Sequence, residues 1–267
     1  MYPILLDLGP IKLYAYGLLM ALGFFFAINW SAQRATRYKV SREFISNVGI
    51  WIIVGGIVGG RVAFLAVEET WTDIFTFKLF EVWNGGMVFY GGLVCAILAS
   101  WGYCKRKGVE FITLADIAAP TIAFGQIFGR LGCFMAGCCY GKQCDLPWAV
   151  SFTHPLSLAP KNVYLHPTQL YEPLGNLLVI AIILLIERKF ATRQKGLIFV
   201  TYLSLYAIVR VTVEAFRGDS ERGFVTFWDM YPNEWLSTST AISAVMLLIS
   251  AIIFWMYRGR PSPSSSR

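Results

Sequence analysis

Seven stretches of about 20 residues with few charges succeed one another along this chain, a length that matches the hydrocarbon core of a bilayer. They lie at roughly 13–32, 45–67, 86–104, 111–129, 174–187, 196–216 and 237–257; the fifth is short and borrows Leu170 to Pro173. Such a pattern leaves few options. Spanning segments in lipid must satisfy their own backbone hydrogen bonds, and runs of this length do so as helices. The expected fold class is therefore an all-α polytopic membrane protein of about seven transmembrane helices. Charged residues make up only 15% of the 267, and apolar ones 56%, whereas a soluble domain carries about 25% charged residues.

Basic residues fix the expected orientation, because cytoplasmic connections gather Lys and Arg. One set of connections holds fourteen of them, among them Arg34, Arg37, Lys105, Arg106, Lys107, Arg188 and Lys189; the opposite set holds seven, including Arg130, Lys142 and Arg217. The N-terminus is expected outside and the C-terminus in the cytoplasm. The first run, preceded only by Asp7 and Lys12, is expected to remain as a span and not to be cleaved as a signal peptide. Residues 1–260 then form one seven-helix domain with an outer loop region at 130–173, and 261–267 a short mobile cytoplasmic tail. Segment 68–85, which mixes acidic and aromatic residues, is expected to lie along the interface. The net charge of +7 is spread between apolar runs, which fits anionic lipid head groups and not nucleic acid.

Charges inside apolar runs cost about 2.5–3.5 kcal/mol each and persist when paired or facing a polar interior. Arg61, Asp116, Arg210 and Glu214 are such residues. Within YAIVRVTVEAFRGD (206–219), Arg210 and Glu214 share a helical face with Tyr206 one turn before. Two readings stand: an ion pair that fixes packing, or a polar cavity for an anionic head group, which the planar fork of Arg suits. In GRLGCFMAGCCYG (129–141), Arg130 opens a glycine-rich segment whose backbone can approach a ligand closely. The glycines of the second span (Gly55, Gly56, Gly59, Gly60) read first as helix packing.

Cys133, Cys138, Cys139 and Cys144 are crowded into the same region. Their C-x4-C-C-x4-C spacing is not a standard zinc pattern, so one or two structural disulfides on an oxidising face are expected, with metal binding and redox cycling as lesser readings. His166, in LHPTQLYEP, is able to serve as a base near neutral pH, but a hydrogen-bonded structural role is the stronger reading. No phosphate-binding loop, dinucleotide fingerprint or HExxH string occurs, so no metal and no nucleotide cofactor is expected.

These residues carry a resemblance. LGPIKLYAYGLLMALGF (8–24), VWNGGMVFYGGL (82–93), GRLGCFMAGCCYG, HPTQLYE (166–172) and YAIVRVTVEAFR (206–217) resemble, in order, segments of the phosphatidylglycerol–prolipoprotein diacylglyceryl transferase family. The resemblance implies a multi-pass enzyme of the bacterial inner membrane. Its substrates would be phosphatidylglycerol and a prolipoprotein signal peptide with a lipobox cysteine, met among membrane lipids. Catalytic roles would fall on Arg210, Glu214, Tyr206, Tyr90 and Tyr16, and substrate binding on Arg130, Gly141, Gly91, Gly92 and His166. Tyr90 stands where the family often has histidine, and Cys133, Ala136 and Cys138 replace its usual asparagines and glutamate. The implied reaction has the lipobox thiol attack a glyceryl carbon while glycerol phosphate leaves, with Arg130 and Arg210 meeting the phosphate charge and Glu214 holding Arg210. Tyr90, Glu214 and His166 are candidate bases; a positive field that lowers the thiol's pKa is preferred. Two alternatives accompany this reading: a divergent relative with altered substrate or no catalysis, and a membrane thiol oxidoreductase built on Cys133–Cys144.

Overall fold

A computed structural model describes residues 2–7, 12–68, 77–80, 86–190, 194–219 and 237–258. Among them run α1 (Ala15–Ala35), α2 (Arg42–Glu68), α3 (Phe89–Lys107), α4 (Phe111–Ala136), α5 (Thr168–Phe190), α6 (Leu197–Glu214) and α7 (Thr238–Tyr257). Two small antiparallel hairpins accompany them. β1 (Ile4–Asp7) pairs with β2 (Lys12–Tyr14), and β3 (Val150–Ser151) with β4 (Tyr164–Leu165). Most of segment 68–85 and the tail 261–267 lie outside the described residues; within that segment only Glu68, which ends α2, and a 3-10 turn at Phe77–Phe80 are described.

Six of the helices, all but α3, are long and apolar enough to cross a membrane. The seventh, α3, closes on Lys105, Arg106 and Lys107, which lowers its apolar content. Phe25, Leu98, Leu178, Ile208 and Trp255 each stand more than half exposed on their helices. Exposed apolar area on that scale suits lipid and not water. This is a multi-pass membrane protein.

Two compact units arise from the chain, one of Met1–Trp30 with Asp116–Arg267 and one of Ser31–Ala115. The second unit is held by small residues between α2 and α3. A Cβ on Gly92 would stand 2.8 Å from the Gly56 carbonyl oxygen, and one on Gly59 2.6 Å from that of Gly91. No side chain fits between backbones that close, so these glycines are what permits the helices to meet. Buried Arg61 adds a tie, donating through Nη1 to the Gly86 carbonyl at 3.2 Å and lying over the Phe64 ring.

In the first unit, Ala119 and Ala123 of α4 pack with Val179, Ile180 and Ile183 of α5 and Ile198, Tyr202 and Leu203 of α6. The buried charge of Asp116 has a structural task. Its carboxylate accepts from the backbone amides of Gly196 at 2.7 Å and Phe199 at 2.9 Å. It therefore caps the start of α6, where unpaired amides and the helix dipole favour an anion.

Two helix limits differ from the sequence expectation. α4 continues seven residues beyond 129, through Gly129 and Gly132 to Ala136. Glycine inside a helix costs about 1 kcal/mol relative to alanine, but here it admits α1: a Cβ on Gly132 would lie 2.9 Å from Tyr16 Cδ2. Those two glycines pack helices and are not part of a loop. α5 begins at Thr168, two residues before the Leu170 to which the fifth run was extended, with Pro173 inside it. The HPTQLYE string thus lies largely on a helix.

Residues 137–167 fold around Phe152, Ala159 and Leu165, with Phe134, Tyr140 and Val150 packed against them. Backbone bonds sew this connection to the end of α6. Gly141 N donates to His166 O at 3.0 Å, His166 N to Lys142 O at 2.9 Å, and Lys142 N to Phe216 O at 2.8 Å.

Candidate functional site

Apart from Asp116, the first unit gathers its buried charge where α4 and α6 finish and α5 and α7 begin. Glu172, on the first turns of α5 and 2% exposed, is the centre. Arg130 Nε stands 3.0 Å from its Oε1, and Arg210 Nη1 3.8 Å from its Oε2. Tyr206 donates its hydroxyl to Glu172 Oε1 at 3.2 Å. Two guanidiniums from different helices therefore meet on the two oxygens of one carboxylate.

Arg210 is held from three directions. Its Nη2 donates to Ser239 Oγ at 2.5 Å and lies 2.9 Å from Glu214 Oε2. Both Glu214 carboxylate oxygens are buried without hydrogen-bond alignment, so that contact is ionic despite its short distance. Arg217 extends the cluster, with Nη1 3.5 Å from Glu214 Oε2 and its fork on Asp219 through Nε at 2.8 Å and Nη2 at 2.5 Å. Burial lowers the Arg217 pKa, but the hydrogen bonds and charge of Asp219 outweigh it, and the net shift is upward. Lys142 Nζ donates to the Ala215 carbonyl at 3.0 Å, at the C-terminal end of α6.

The cluster balances three cations (Arg130, Arg210, Arg217) with three carboxylates (Glu172, Glu214, Asp219), yet it is not saturated. Arg130 engages through Nε alone, its side chain is 21% exposed, and its two terminal nitrogens have no partner among the described residues. Arg210 Nη1 is buried without a hydrogen bond. One turn deeper, Asn176 is fully buried with neither amide atom hydrogen-bonded, and Gln126 Oε1 is also without a partner. Asn176 follows Glu172 by four residues and Gln126 precedes Arg130 by four, so they lie on the same helix faces. Buried polar atoms left without partners cost roughly 1–3 kcal/mol each. Such a set accepts a polar guest, and its open guanidinium donors favour an anion.

Tyr16, on the first turn of α1, packs on Gly132 and stands within electrostatic reach of Arg130 and Cys133. His166 Nδ1 lies 3.0 Å from the Tyr171 hydroxyl, which also accepts from Trp148 Nε1 at 2.9 Å, and its ring rests 5.2 Å from that of Phe216. These contacts tether the connection to the start of α5 and the end of α6. Gly141 is squeezed. A Cβ there would come within 2.6 Å of the His166 carbonyl oxygen and 2.8 Å of that of Phe216. Tyr90, Gly91 and Gly92 belong to the other unit. Tyr90 is half exposed with its ring edge-on to Phe89, while Gly91 and Gly92 are taken up in packing against α2.

Sequence reasoning named Arg130, Arg210, Glu214 and Tyr206 but passed over Glu172 as a member of the site. A signal existed: two arginines in apolar surroundings with one carboxylate four residues from only one of them require a second anion, and Glu172 sits at the edge of a span.

The expected disulfides are absent: all six cysteines carry free thiols. Instead, the sulfurs of Cys133, Cys138 and Cys139 lie within 4.8 Å of one another. Hydrogen bonds from the Cys133 and Cys138 thiols, then the charges of Arg130 and Arg217, hold the Cys139 thiol far below its ordinary range; hydrogen bonds with Cys133 and Cys139, then burial, push the Cys138 thiol up. A thiolate within this cluster is the species able to hold a soft metal ion.

Comparison with known proteins gives the family. The profile of the family described as prolipoprotein diacylglyceryl transferase matches residues 3–256. A protein of Clostridium tetani named phosphatidylglycerol–prolipoprotein diacylglyceryl transferase is 35% identical over 260 residues, covering 97% of this chain and 99% of that protein. A namesake from Legionella pneumophila is also 35% identical, over 96% of this chain and 97% of its own length. One from Trichormus variabilis is 31% identical over 82% of this chain and 79% of its own.

Proposed function

The chain belongs to the prolipoprotein diacylglyceryl transferase family, and from that premise we propose that it transfers the diacylglyceryl group of phosphatidylglycerol to the lipobox cysteine of prolipoproteins. This is a transferase of lipoprotein maturation, placed in the bacterial inner membrane. The family match favours it over a thiol oxidoreductase and over a relative without catalysis. The excess of basic residues on one set of connections supports the site facing the outer leaflet, where both lipidic substrates can enter laterally from the bilayer.

The observation that carries the reading is the convergence of Arg130 and Arg210 on Glu172 with guanidinium donors left over. In the reaction, the lipobox sulfur attacks the glyceryl carbon beside the phosphate, forming a C–S bond. The C–O bond breaks and its electron pair leaves on glycerol phosphate, while the thiol proton passes to the phosphate or to water. Charge therefore builds on a phosphate oxygen. Donors already fixed in a partly dry site stabilise such charge by a few kcal/mol each. Arg130 and Arg210 supply them. Glu172 holds both forks in register, Glu214 and Ser239 hold Arg210, and the Tyr206 hydroxyl fixes Glu172. Tyr206 donates in this arrangement, which makes it a positioning residue and not a base. The substrate thiol, with an ordinary pKa of about 8.5, is shifted toward thiolate by the same positive field.

Complementation tests this reading. A strain depleted of its own transferase and supplied with this chain should restore the mobility shift of a model lipoprotein. Failure despite confirmed expression and membrane insertion overturns it.

A further inference from the structure

Metal binding by this chain is not expected from its cysteine spacing, because four residues separate Cys133 from Cys138, and Cys138 and Cys139 are adjacent. The backbone removes that objection. α4 ends at Ala136, and Gly137 takes a left-handed conformation with φ of +78°. Its amide and that of Cys138 both donate back to the Cys133 carbonyl, at 2.8 and 3.2 Å. The chain thus folds back over the last turn of the helix, which carries Cys133. Cys139 is then itself left-handed, with φ of +57°. A side chain other than glycine adopts that conformation at a cost of about 1 kcal/mol, and only where its surroundings impose it. The strained turn sets Cys138 and Cys139 on the Cys133 side chain.

The turn is also braced from α5. Thr168 Oγ1 donates to the Cys139 carbonyl at 2.8 Å, and Gln169 Nε2 to the Cys138 carbonyl at 2.8 Å. Both donors are buried. Hydrogen bonds that fix ligand-bearing backbone are the second layer that metal centres require. Three sulfurs converge as a result, all within 4.8 Å of one another. Zinc–sulfur bonds of about 2.3 Å place the sulfurs of a tetrahedral site about 3.8 Å apart, so binding asks for at most about 1 Å of side-chain closure. Among the described residues, no carboxylate or histidine belongs to this group. Thiolate-only ligation selects soft ions and rejects Mg2+ and Ca2+. Arg130 and Arg217 are the charged groups facing it, and they offset the negative charge that three thiolates leave on a mono- or divalent ion.

We propose that Cys133, Cys138 and Cys139 form a three-thiolate site for a thiophilic d10 cation, Zn2+ or Cu+. Cys133 lies three residues beyond Arg130 and Cys139 two before Gly141, so the ion would pin the segment that presents the phosphate-facing arginine. The site neither needs the transferase reading nor supplies a step in it.

The test uses the full chain, reduced and free of metal, in detergent or nanodiscs, titrated separately with Zn2+ and Cu+ against chromophoric chelators. One equivalent per chain is expected with at least one of the two ions, retained through gel filtration. Cd2+ in place of Zn2+ should give a thiolate-to-metal charge-transfer band. Bound metal should shield Cys133, Cys138 and Cys139 from alkylation while leaving Cys144 reactive. That measurement needs no variant. Cys144→Ser should bind as the parent does. Cys133→Ser and Cys139→Ser should each weaken binding by more than the roughly 10–100-fold that loss of an outer-layer partner costs. The proposal is overturned by no stoichiometric binding of either ion, by unchanged affinity in both triad variants, or by a disulfide within the triad in protein isolated from cells.

Discussion

Replacing Glu172 with glutamine keeps the shape of the side chain and removes one charge, and it strikes the group that joins the site together. In the native protein its two oxygens serve Arg130 at 3.0 Å, Arg210 at 3.8 Å and the Tyr206 hydroxyl at 3.2 Å. The balance of three cations and three carboxylates becomes three against two, with Arg210 buried among them. Breaking a buried pair by removing one partner costs about 3–5 kcal/mol. The partial exposure of Arg130 argues for the lower end, about 3 kcal/mol. Both arginines also lose the carboxylate that aligns their forks, and loss of one preorganised donor to a developing oxyanion slows turnover by roughly 10²–10³-fold. Glu172→Gln is therefore expected to lower both thermal stability in detergent and kcat for transfer to a lipobox peptide in vesicles containing phosphatidylglycerol. A double-mutant cycle with Arg130→Gln separates positioning from general damage. The combined loss should fall short of the sum of the single losses by about 1 kcal/mol or more, as for groups in direct contact. Transfer within threefold of the parent, or strictly additive losses, refutes the assignment of Glu172 as the common anchor.

Gly141→Ala should abolish transfer or destabilise the protein, since the new methyl meets two carbonyl oxygens at 2.6 and 2.8 Å and neither backbone can yield; thermal unfolding and transfer rate check it. Gly132→Ala should cost about 1–3 kcal/mol by overpacking against Tyr16, read from unfolding, and should be partly relieved in Gly132→Ala with Tyr16→Leu. Tyr90→Phe should leave transfer within a few-fold, because a true general base is worth roughly 10²–10⁴-fold; a loss of that size would identify Tyr90 as the base. Cys139, whose pKa is depressed, is already thiolate above that low value. Its alkylation should stay flat from about pH 6 to 8, where an ordinary thiol of pKa about 8.5 gains reactivity with every unit; mass-spectrometric labelling against pH checks it, and a tenfold rise per unit contradicts it.

Much of the architecture could be read from apolar run length, because backbone satisfaction in lipid is a local requirement that each helix meets within itself. Helix limits were less legible for the opposite reason. Gly129 and Gly132 look like loop residues until α1 is brought against them, and that contact joins Tyr16 to a residue more than a hundred positions away. Arg210 with Glu214 was visible as a pair four apart on one helix. Glu172 was legible only indirectly: the count of two arginines against one carboxylate calls for a second anion, but its partners come from α4 and α6, and nothing local says which glutamate they share. The same holds for the thiol cluster. Its spacing argues against a site, and only the left-handed backbone at Gly137 and Cys139 brings the three sulfurs together. Tyr90, Gly91 and Gly92 were legible only through resemblance, and the packing of Gly91 and Gly92 against α2 emerges only once the two helices meet.

The central claim is that two guanidinium forks, not merely two positive charges, receive the phosphate as it leaves. Arg130→Lys and Arg210→Lys keep the charge and remove the fork. Glycerol phosphate release from phosphatidylglycerol, measured in vesicles with a lipobox peptide, should fall about 10²-fold or more in each, with the peptide and lipid still bound. Release at close to the parental rate in either variant would contradict the account.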